Sequence, residues 1–263
     1  MIELYRTQQD VMGAPIDVVH WGGAIATILR WASARESRYV CACNVHSVVT
    51  AQSDERLAWS LRSADLVLPD GAPVAWFMRQ TGHDLQQRVS GPDLMWRYFA
   101  AAAVYGESVF FYGSSPETLA ALQVRVAQRF PGLRIAGAIS PPYRPLTLEE
   151  DEANVKLINE SGATTLWVGL GCPKQELWMA EHRGRIQAVM VGVGAAFAFH
   201  AGTARRAPAW MRRLSLEWLH RLASEPRRLA RRYAVTNSLF VVASMRQLAR
   251  QSFRQLLRKR PDR

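Results

Sequence analysis

The 263-residue sequence predicts an α/β fold: a mostly parallel sheet with helices on both faces, followed by a basic helical appendage. Three observations carry that prediction. Short apolar runs ending in glycine, proline or polar turns alternate five or six times with stretches of helical spacing, the pattern of a parallel sheet covered on both sides. Hydrophobic residues make up 49% of the chain, enough for a substantial core and against global disorder. Charge is divided unevenly: from Arg205 onward there are 16 Lys/Arg and 3 Asp/Glu, a net +13, whereas the first 204 residues hold 17 and 19, a net −2. The division sets a near-neutral α/β body over 1–204 and a basic helical appendage over 205–263.

The elements follow in order. A short N-terminal segment reads as a hairpin, and Trp21–Ala34 has helical spacing. Arg38–Cys43 reads as a strand with Asn44-Val45-His46 at its carboxyl end. Helical pattern covers Ser47–Ser63, interrupted near Ser53-Asp54. Asp65–Leu68 is a second strand, closed by Pro69-Asp70-Gly71-Ala72-Pro73 before another helix. Gly91-Pro92-Asp93 opens a helix to about Val104. Ser108–Tyr112 is a strand that ends at Gly113-Ser114-Ser115 ahead of a helix from Pro116. Leu133–Ile139, Thr164–Val168 and Ala188–Val193 are further strands, the middle one preceded by a helix from Leu148. Beyond Ala207-Pro208, Trp210–Leu222 and Pro226–Leu257 read as two helices joined at Ser224-Glu225-Pro226. In the second, Arg246, Arg250, Arg254 and Arg258 recur every fourth residue, a basic stripe beside apolar positions that suits an anionic membrane surface or a solvated face of a packed helix.

In a parallel sheet of this Rossmann-like kind, ligands bind outside the carboxyl ends of the strands. The turns around Asn44, Asp70, Gly113 and Gly171 all fall on that edge. In Leu166-Trp167-Val168-Gly169-Leu170-Gly171-Cys172-Pro173-Lys174-Gln175-Glu176, an apolar strand leaves the sheet through two glycines. Pro173 then suits a first helical turn, whose amides favour an anion, and Lys174, Gln175 and Glu176 stand at the same rim. A tight turn with solvated polar residues fits the same pattern. Asp70, on a strand-end turn with Gly71 behind it, has the placement a general base requires, and also that of a helix cap. Arg88 precedes Ser90-Gly91-Pro92-Asp93, where it suits a phosphate or a surface ion pair. Arg221, Arg228 and Arg231, spaced by seven and three, share one face of a continuous helix and together suit a diphosphate. The Glu225-Pro226 break bears on that continuity. His46 reads more readily as a loop or core histidine than as a catalyst.

Several classes of function are disfavoured. Cys41, Cys43 and Cys172 form neither a disulfide framework nor a metal-ligand pattern, and no Asp-x-Asp or His/Cys cluster appears. No Gly-x-Gly-x-x-Gly or Walker-type loop is present, so an ordinary dinucleotide or ATP site is not indicated and no cofactor is expected. The N-terminal residues lack a signal-peptide core, and no run reaches the roughly 20 apolar residues of a membrane span, so the expectation is a cytoplasmic protein. A nucleic-acid-binding role for the basic end lacks interleaved aromatic platforms and leaves the strand-edge turns without purpose, so nucleic acid is not an expected partner. A catalytically silent partner of a polysaccharide assembly complex is a third reading.

Taken in order, several motifs resemble the WecG/TagA/CpsF glycosyltransferases, glycosyltransferase family 26. They are Cys43-Asn44-Val45-His46, Asp65-Leu66-Val67-Leu68-Pro69-Asp70-Gly71, Arg88-Val89-Ser90-Gly91-Pro92-Asp93 and Gly169 through Trp178. Gly192-Val193-Gly194-Ala195-Ala196-Phe197, Leu216–Leu222 and Glu225-Pro226-Arg227-Arg228 continue the match, which covers about residues 1–240. Cys172 stands where alanine is frequent. The resemblance implies an inverting, metal-independent transfer of a sugar from a UDP-sugar donor to a polyprenyl-diphosphate-linked sugar acceptor, at the inner face of the plasma membrane. It implies Asp70 as the base that deprotonates the acceptor hydroxyl, with Arg88 and Gln175 lining the active site. It implies an appendage that attaches to an anionic membrane surface and completes the site with Arg221, Arg228 and Arg231. Asn44, Gly113, Gly171, Lys174 and Glu176 complete the expected substrate contacts. The Cys-Asn-Val-His-Ser-Val-Val version leans toward exopolysaccharide members and UDP-glucose as donor, with UDP-N-acetylmannosamine or its uronic acid as the alternative.

Overall fold

The structure, a computed structural model, describes residues 6–258, with side chains as far as residue 251 apart from that of Arg228. The chain opens with the expected hairpin. β1 (Gln8–Val11) and β2 (Ala14–Asp17) pair antiparallel around Met12-Gly13, where both residues take positive φ, the backbone of a tight two-residue turn. Asp17 then ties the hairpin to the body. Its buried carboxylate pairs with Arg6 at 2.6 Å and accepts the backbone N–H of Val67 at 2.6 Å.

The sheet has six strands, all parallel. They are β3 (Arg38–Cys43), β4 (Leu66–Pro69), β5 (Ser108–Gly113), β6 (Arg134–Ile139), β7 (Thr165–Gly169) and β8 (Val189–Gly192), in the spatial order β4-β3-β8-β7-β5-β6. The inner strands are buried almost throughout, which is why they read as continuous apolar runs rather than alternating ones. On one face lie α1 (Trp21–Ser33), α5 (Gly91–Tyr105), α6 (Pro116–Arg129) and α9 (Ala196–Ala201), around Tyr98, Phe99, Phe111 and Trp167. The other face carries α2 (Val45–Ala51), α3 (Glu55–Ser63), α4 (Ala72–Gln80), α7 (Leu148–Glu160) and α8 (Lys174–His182), with the hairpin beside them. The interruption expected near Ser53-Asp54 is the boundary between α2 and α3, where the Asp54 side chain caps α3 by accepting from Leu57 N.

After residue 205 the chain differs from the expected pair of helices. Trp210–Leu222 divides into α10 (Ala209–Arg213) and α11 (Glu217–Ser224), because Ser215 takes a left-handed φ of 63° that no helix accommodates. The last helix, α12 (Pro226–Arg258), runs back over the body. Its Phe240 and Leu248 join the apolar core beneath α2, and Gln247 both donates to Asp10 O at 2.9 Å and accepts from Met12 N at 3.0 Å. No helix among the described residues is long and apolar enough to cross a membrane.

Where β5 and β7 leave the sheet, their backbones approach so closely that only glycine fits. A Cβ on Gly113, whose φ is +114°, would lie 2.7 Å from the carbonyl carbon of Gly169. Gly113→Ala is therefore expected to cost about 3 kcal/mol or more of stability, from backbone strain and the clash together. Denaturant unfolding checks this, and the loss is expected without any change in the isolated chemistry of the side chains around it.

Candidate active site

The carboxyl ends of β3, β4, β5, β7 and β8 open into one cavity of about 1210 Å³. That exceeds the roughly 300–1,000 Å³ of ordinary small-molecule sites and leaves room for two substrates. Asn44, Asp70, Arg88, Gly171, Lys174, Gln175 and Glu176 are in its walls, and Arg221 and Glu217 of α11 and Arg232 of α12 close it from the other side of the sequence.

Asp70 sits just past β4, and Gly71 behind it takes φ +94°, which lets the chain turn sharply into α4. Burial pushes the Asp70 carboxyl up to about 6. Arg88 and the Gly91 N–H, which hydrogen-bonds it, pull in the opposite direction, while the carboxylates of Glu217 and Asp93 push it further up. Arg88 is itself held. Its guanidinium donates to Glu217 Oε2 at 2.7 Å and lies 4.0 Å from Asp93. Arg206 bridges the same two carboxylates, 2.8 Å from Asp93 and 3.3 Å from Glu217, and Arg212 reaches Asp93 at 3.4 Å. Burial opposes ionisation of Asp93, but hydrogen bonds from Arg206 and Ser90 and the charges of Arg206 and Arg88 bring it down to about 2. Asp93 is thus a fixed anion and Asp70 a poised one.

The Gly171–Glu176 turn is organised around a buried amide. Gln175 Oε1 accepts from Gly171 N at 3.2 Å and Gly194 N at 3.0 Å, and its Nε2 donates to Glu176 Oε1 at 2.9 Å. The side chain straps the turn after β7 to the turn after β8. The first-turn amides of α8 are largely committed: Gln175 N bonds Gly171 O, Leu177 N bonds Pro173 O, and Glu176 N meets its own carboxylate. Pro173 stands at the cap rather than inside the first turn. Gln175 and Glu176 are buried, and burial raises the Glu176 carboxyl, whereas Lys174 is exposed at the rim. Asn44 caps α2, its Oδ1 accepting from His46 N at 2.9 Å and Ser47 N at 3.3 Å.

The remaining expected residues divide. Arg221 lines the cavity, its guanidinium 5.7 Å from the Phe199 ring centre. Arg231 is exposed and is not a wall residue; its neighbour Arg232 is. The α11–α12 break at Glu225 changes the phase that a continuous helix would have set. The Arg228 side chain lies outside the described residues. Gly113 is not a wall residue; Ser114 beside it is, and Gly113 serves the close approach of β5 to β7. The walls also hold His46, read as a loop or core histidine, Glu217, quoted in a motif without a role, and Arg232, which the motif reading passed over. His46 is brought down to about 4 by burial and by Arg232, so it is neutral near pH 7. Arg232 had a signal. Leu229, Thr236 and Phe240 mark the buried face of α12, and Arg232 falls on that side whereas Arg231 does not.

A model of the glycosyl transferase WecG/TagA/CpsF family matches residues 9–254. The chain is similar to the N-acetylglucosaminyldiphosphoundecaprenol N-acetyl-β-D-mannosaminyltransferase of Bacillus spizizenii, 32% identical over 198 residues that cover 75% of each protein. It is 31% identical to the protein of the same name from Bacillus subtilis, over 182 residues covering 67% of this chain and 69% of the relative.

The raised Asp70 carboxyl has a consequence for stability that can be signed. A carboxyl raised from 3.8 to about 6 favours the folded state while protonated, and that advantage is lost as pH climbs through 6. Asp70→Asn removes a group whose ionisation opposes folding. The variant is expected to unfold at higher denaturant than the parent at pH 8, by at most about 3 kcal/mol, and the gap should shrink at pH 5. Equal or lower stability at pH 8 would show the carboxylate to be better compensated than its surroundings indicate.

Proposed function

The chain belongs to the WecG/TagA/CpsF family of glycosyl transferases, and from that membership we propose that it moves N-acetylmannosamine from UDP-N-acetylmannosamine to an N-acetylglucosaminyl-diphosphate-linked polyprenol. The observation that carries this reading is Asp70, a desolvated carboxyl poised near neutrality in a cavity whose walls also present Arg88, Arg221 and Arg232. Displacement at a sugar carbon needs a base for the incoming hydroxyl and positive charge for the departing diphosphate. Asp70 takes the acceptor proton. At pH 7 most of its carboxyl is ionised, yet its proton affinity stands well above that of a solvated aspartate, which favours transfer. Arg221 and Arg232, with Arg88 beside the base, balance the charge released on the leaving UDP, and inversion follows from single displacement. Gln175 acts one step removed, holding the Gly171 and Gly194 turns that frame the donor.

The glucose preference read from the Cys-Asn-Val-His stretch is replaced. Both relatives are named as N-acetylmannosaminyltransferases acting on an N-acetylglucosaminyl-diphosphate lipid, and they match this chain over two thirds or more of its length. The reading also includes attachment to the cytoplasmic face of an anionic membrane. Trp210 of α10, Leu214 just beyond it, and Trp218 and Leu219 of α11 expose apolar surface, with the exposed Arg213 among them, the pairing of apolar anchors and cations that suits a headgroup layer.

Incubating the protein with UDP-N-acetylmannosamine, UDP-glucose or UDP-N-acetylglucosamine and a short-chain lipid-diphosphate-N-acetylglucosamine is expected to give transfer from the first alone. Asp70→Asn should lower kcat by about 10²–10⁴-fold while UDP binding by calorimetry persists. The parent's kcat/KM should fall as pH drops through about 6 and Asp70 takes a proton. Glu217→Gln should move that limb to lower pH, since the Glu217 charge raises Asp70. Full activity in the Asp70 variant would remove it from the base role.

For the membrane, sedimentation with phosphatidylglycerol vesicles should decline steeply between low and 0.5 M salt, and Trp210→Ser/Leu214→Ser should weaken it further. Salt-independent binding that the double variant retains would refute this surface.

A further inference from the structure

Beside the reaction cavity lies a second, smaller one of about 400 Å³, between α4 and α12. Its walls are Trp76 and Arg79 of α4 and Phe240, Val241 and Met245 of α12, and it shares Ala72, Pro73 and Ser215 with the larger cavity. The two cavities thus adjoin at the start of α4, with these three residues on the wall of both. All the long side chains along the smaller part are apolar except Arg79, and the Arg79 guanidinium is engaged in donating to Gln86 O at 3.0 Å. Trp76, Val241 and Met245 are 40%, 59% and 58% exposed, an apolar surface that the chain itself leaves open to solvent.

We propose that this groove binds the first isoprene units of the lipid acceptor. The inference rests on the transfer reading above, because that reading fixes where the lipid must leave. The acceptor hydroxyl has to meet Asp70, its diphosphate then stands one sugar ring away, and the hydrocarbon starts directly beyond. Asp70 is only two and three residues from Ala72 and Pro73, the shared threshold. A chain attached to a diphosphate in the larger cavity therefore has an apolar exit at hand. The volume lies in the range of small-molecule pockets and is far too small for a complete undecaprenyl chain, so the groove selects the head of the lipid and the remainder stays with the bilayer. Removing several methylene groups from water against Trp76, Phe240, Val241 and Met245 supplies affinity that the diphosphate and sugar cannot.

Binding can be read apart from catalysis. Without donor, detergent or vesicles, the full chain is titrated calorimetrically with farnesyl diphosphate and with dimethylallyl diphosphate, which share a headgroup and differ by two isoprene units. Farnesyl diphosphate is expected to bind at least about tenfold more tightly. Val241→Glu/Met245→Glu, at two exposed positions, should erase the preference while circular dichroism and the unfolding midpoint are kept. Trp210→Ser/Leu214→Ser, which removes apolar surface outside the groove, should preserve it. Equal affinities for the two diphosphates overturn the proposal, as does a preference that survives in the glutamate variant or vanishes in the serine one. A preference with the expected pattern in a protein that transfers sugar from no UDP donor leaves the groove standing and removes the catalytic reading instead.

Discussion

Arg88 is the charge on which the arrangement of the site depends. It stands between the turn that carries Asp70 and the helices that follow residue 205, with Glu217 at 2.7 Å and Asp93 at 4.0 Å. Arg206 and Arg212 complete the network, so that three guanidiniums face the carboxyls of Asp70, Asp93 and Glu217. Removing Asp93 or Glu217 strands the guanidiniums paired with it in a poorly solvated place, which costs far more than the pair itself contributes. Two properties that look separate are therefore coupled. Arg88 ties α11 to the body through Glu217 and, after burial, is the largest influence on the proton affinity of Asp70.

Within this network Arg88, Arg206 and Arg212 are each engaged with carboxylates. Arg221 and Arg232 add positive charge to the cavity wall, which in the proposed reading faces the departing diphosphate together with Arg88. The structure also separates the two turns that the motifs single out. The turn after β4 holds the titrating group. The turns after β7 and β8 hold shape, because the Gln175 carbonyl oxygen is used on the amides of Gly171 and Gly194 and its nitrogen on Glu176. A cleft built in this way keeps its outline while its charges respond to pH and ligand.

The fold was legible wherever a local signal had one physical cause. Buried parallel strands read as apolar runs, the Ser53-Asp54 interruption marked a helix boundary, and the short N-terminal segment read as a hairpin. The place of Asp70 on a strand-end turn was legible, whereas the turn alone left its use as base or helix cap open. The site's remote half was not legible, for reasons of phase and partner. Spacing from Arg221 across the Glu225 break assumed one helix, and the break rotated Arg231 away and left Arg232 at the wall. Glu217 stood in the Leu216–Leu222 motif without an assigned role; its pairing comes from Arg88, 129 positions away in sequence. Gly113 carried a true glycine requirement whose cause was the backbone of Gly169 rather than a ligand. The choice of sugar was not legible at all from motif spacing, since it turns on contacts to single hydroxyl and acetamido groups.

The basic charge after residue 205 first looks like a single feature, a polyanion-binding stretch, but the structure distributes it among different tasks. Arg206 and Arg212 are consumed by Asp93 and Glu217. Arg221 and Arg232 face the cavity. Arg205, Arg213, Arg227, Arg231, Arg246 and Arg250 are exposed. These groups must respond differently to ionic strength, because a Debye length of about 8 Å at physiological salt screens exposed charges and barely touches enclosed ones. Salt that weakens the proposed hold on a membrane would leave the internal network and the diphosphate contacts nearly intact. Attachment and catalysis, though both drawn from the same arginine-rich stretch, are in this reading separable by salt alone. The apolar groove between α4 and α12 belongs with neither arginine group, and it is the one part of the proposed lipid path that salt should strengthen rather than weaken.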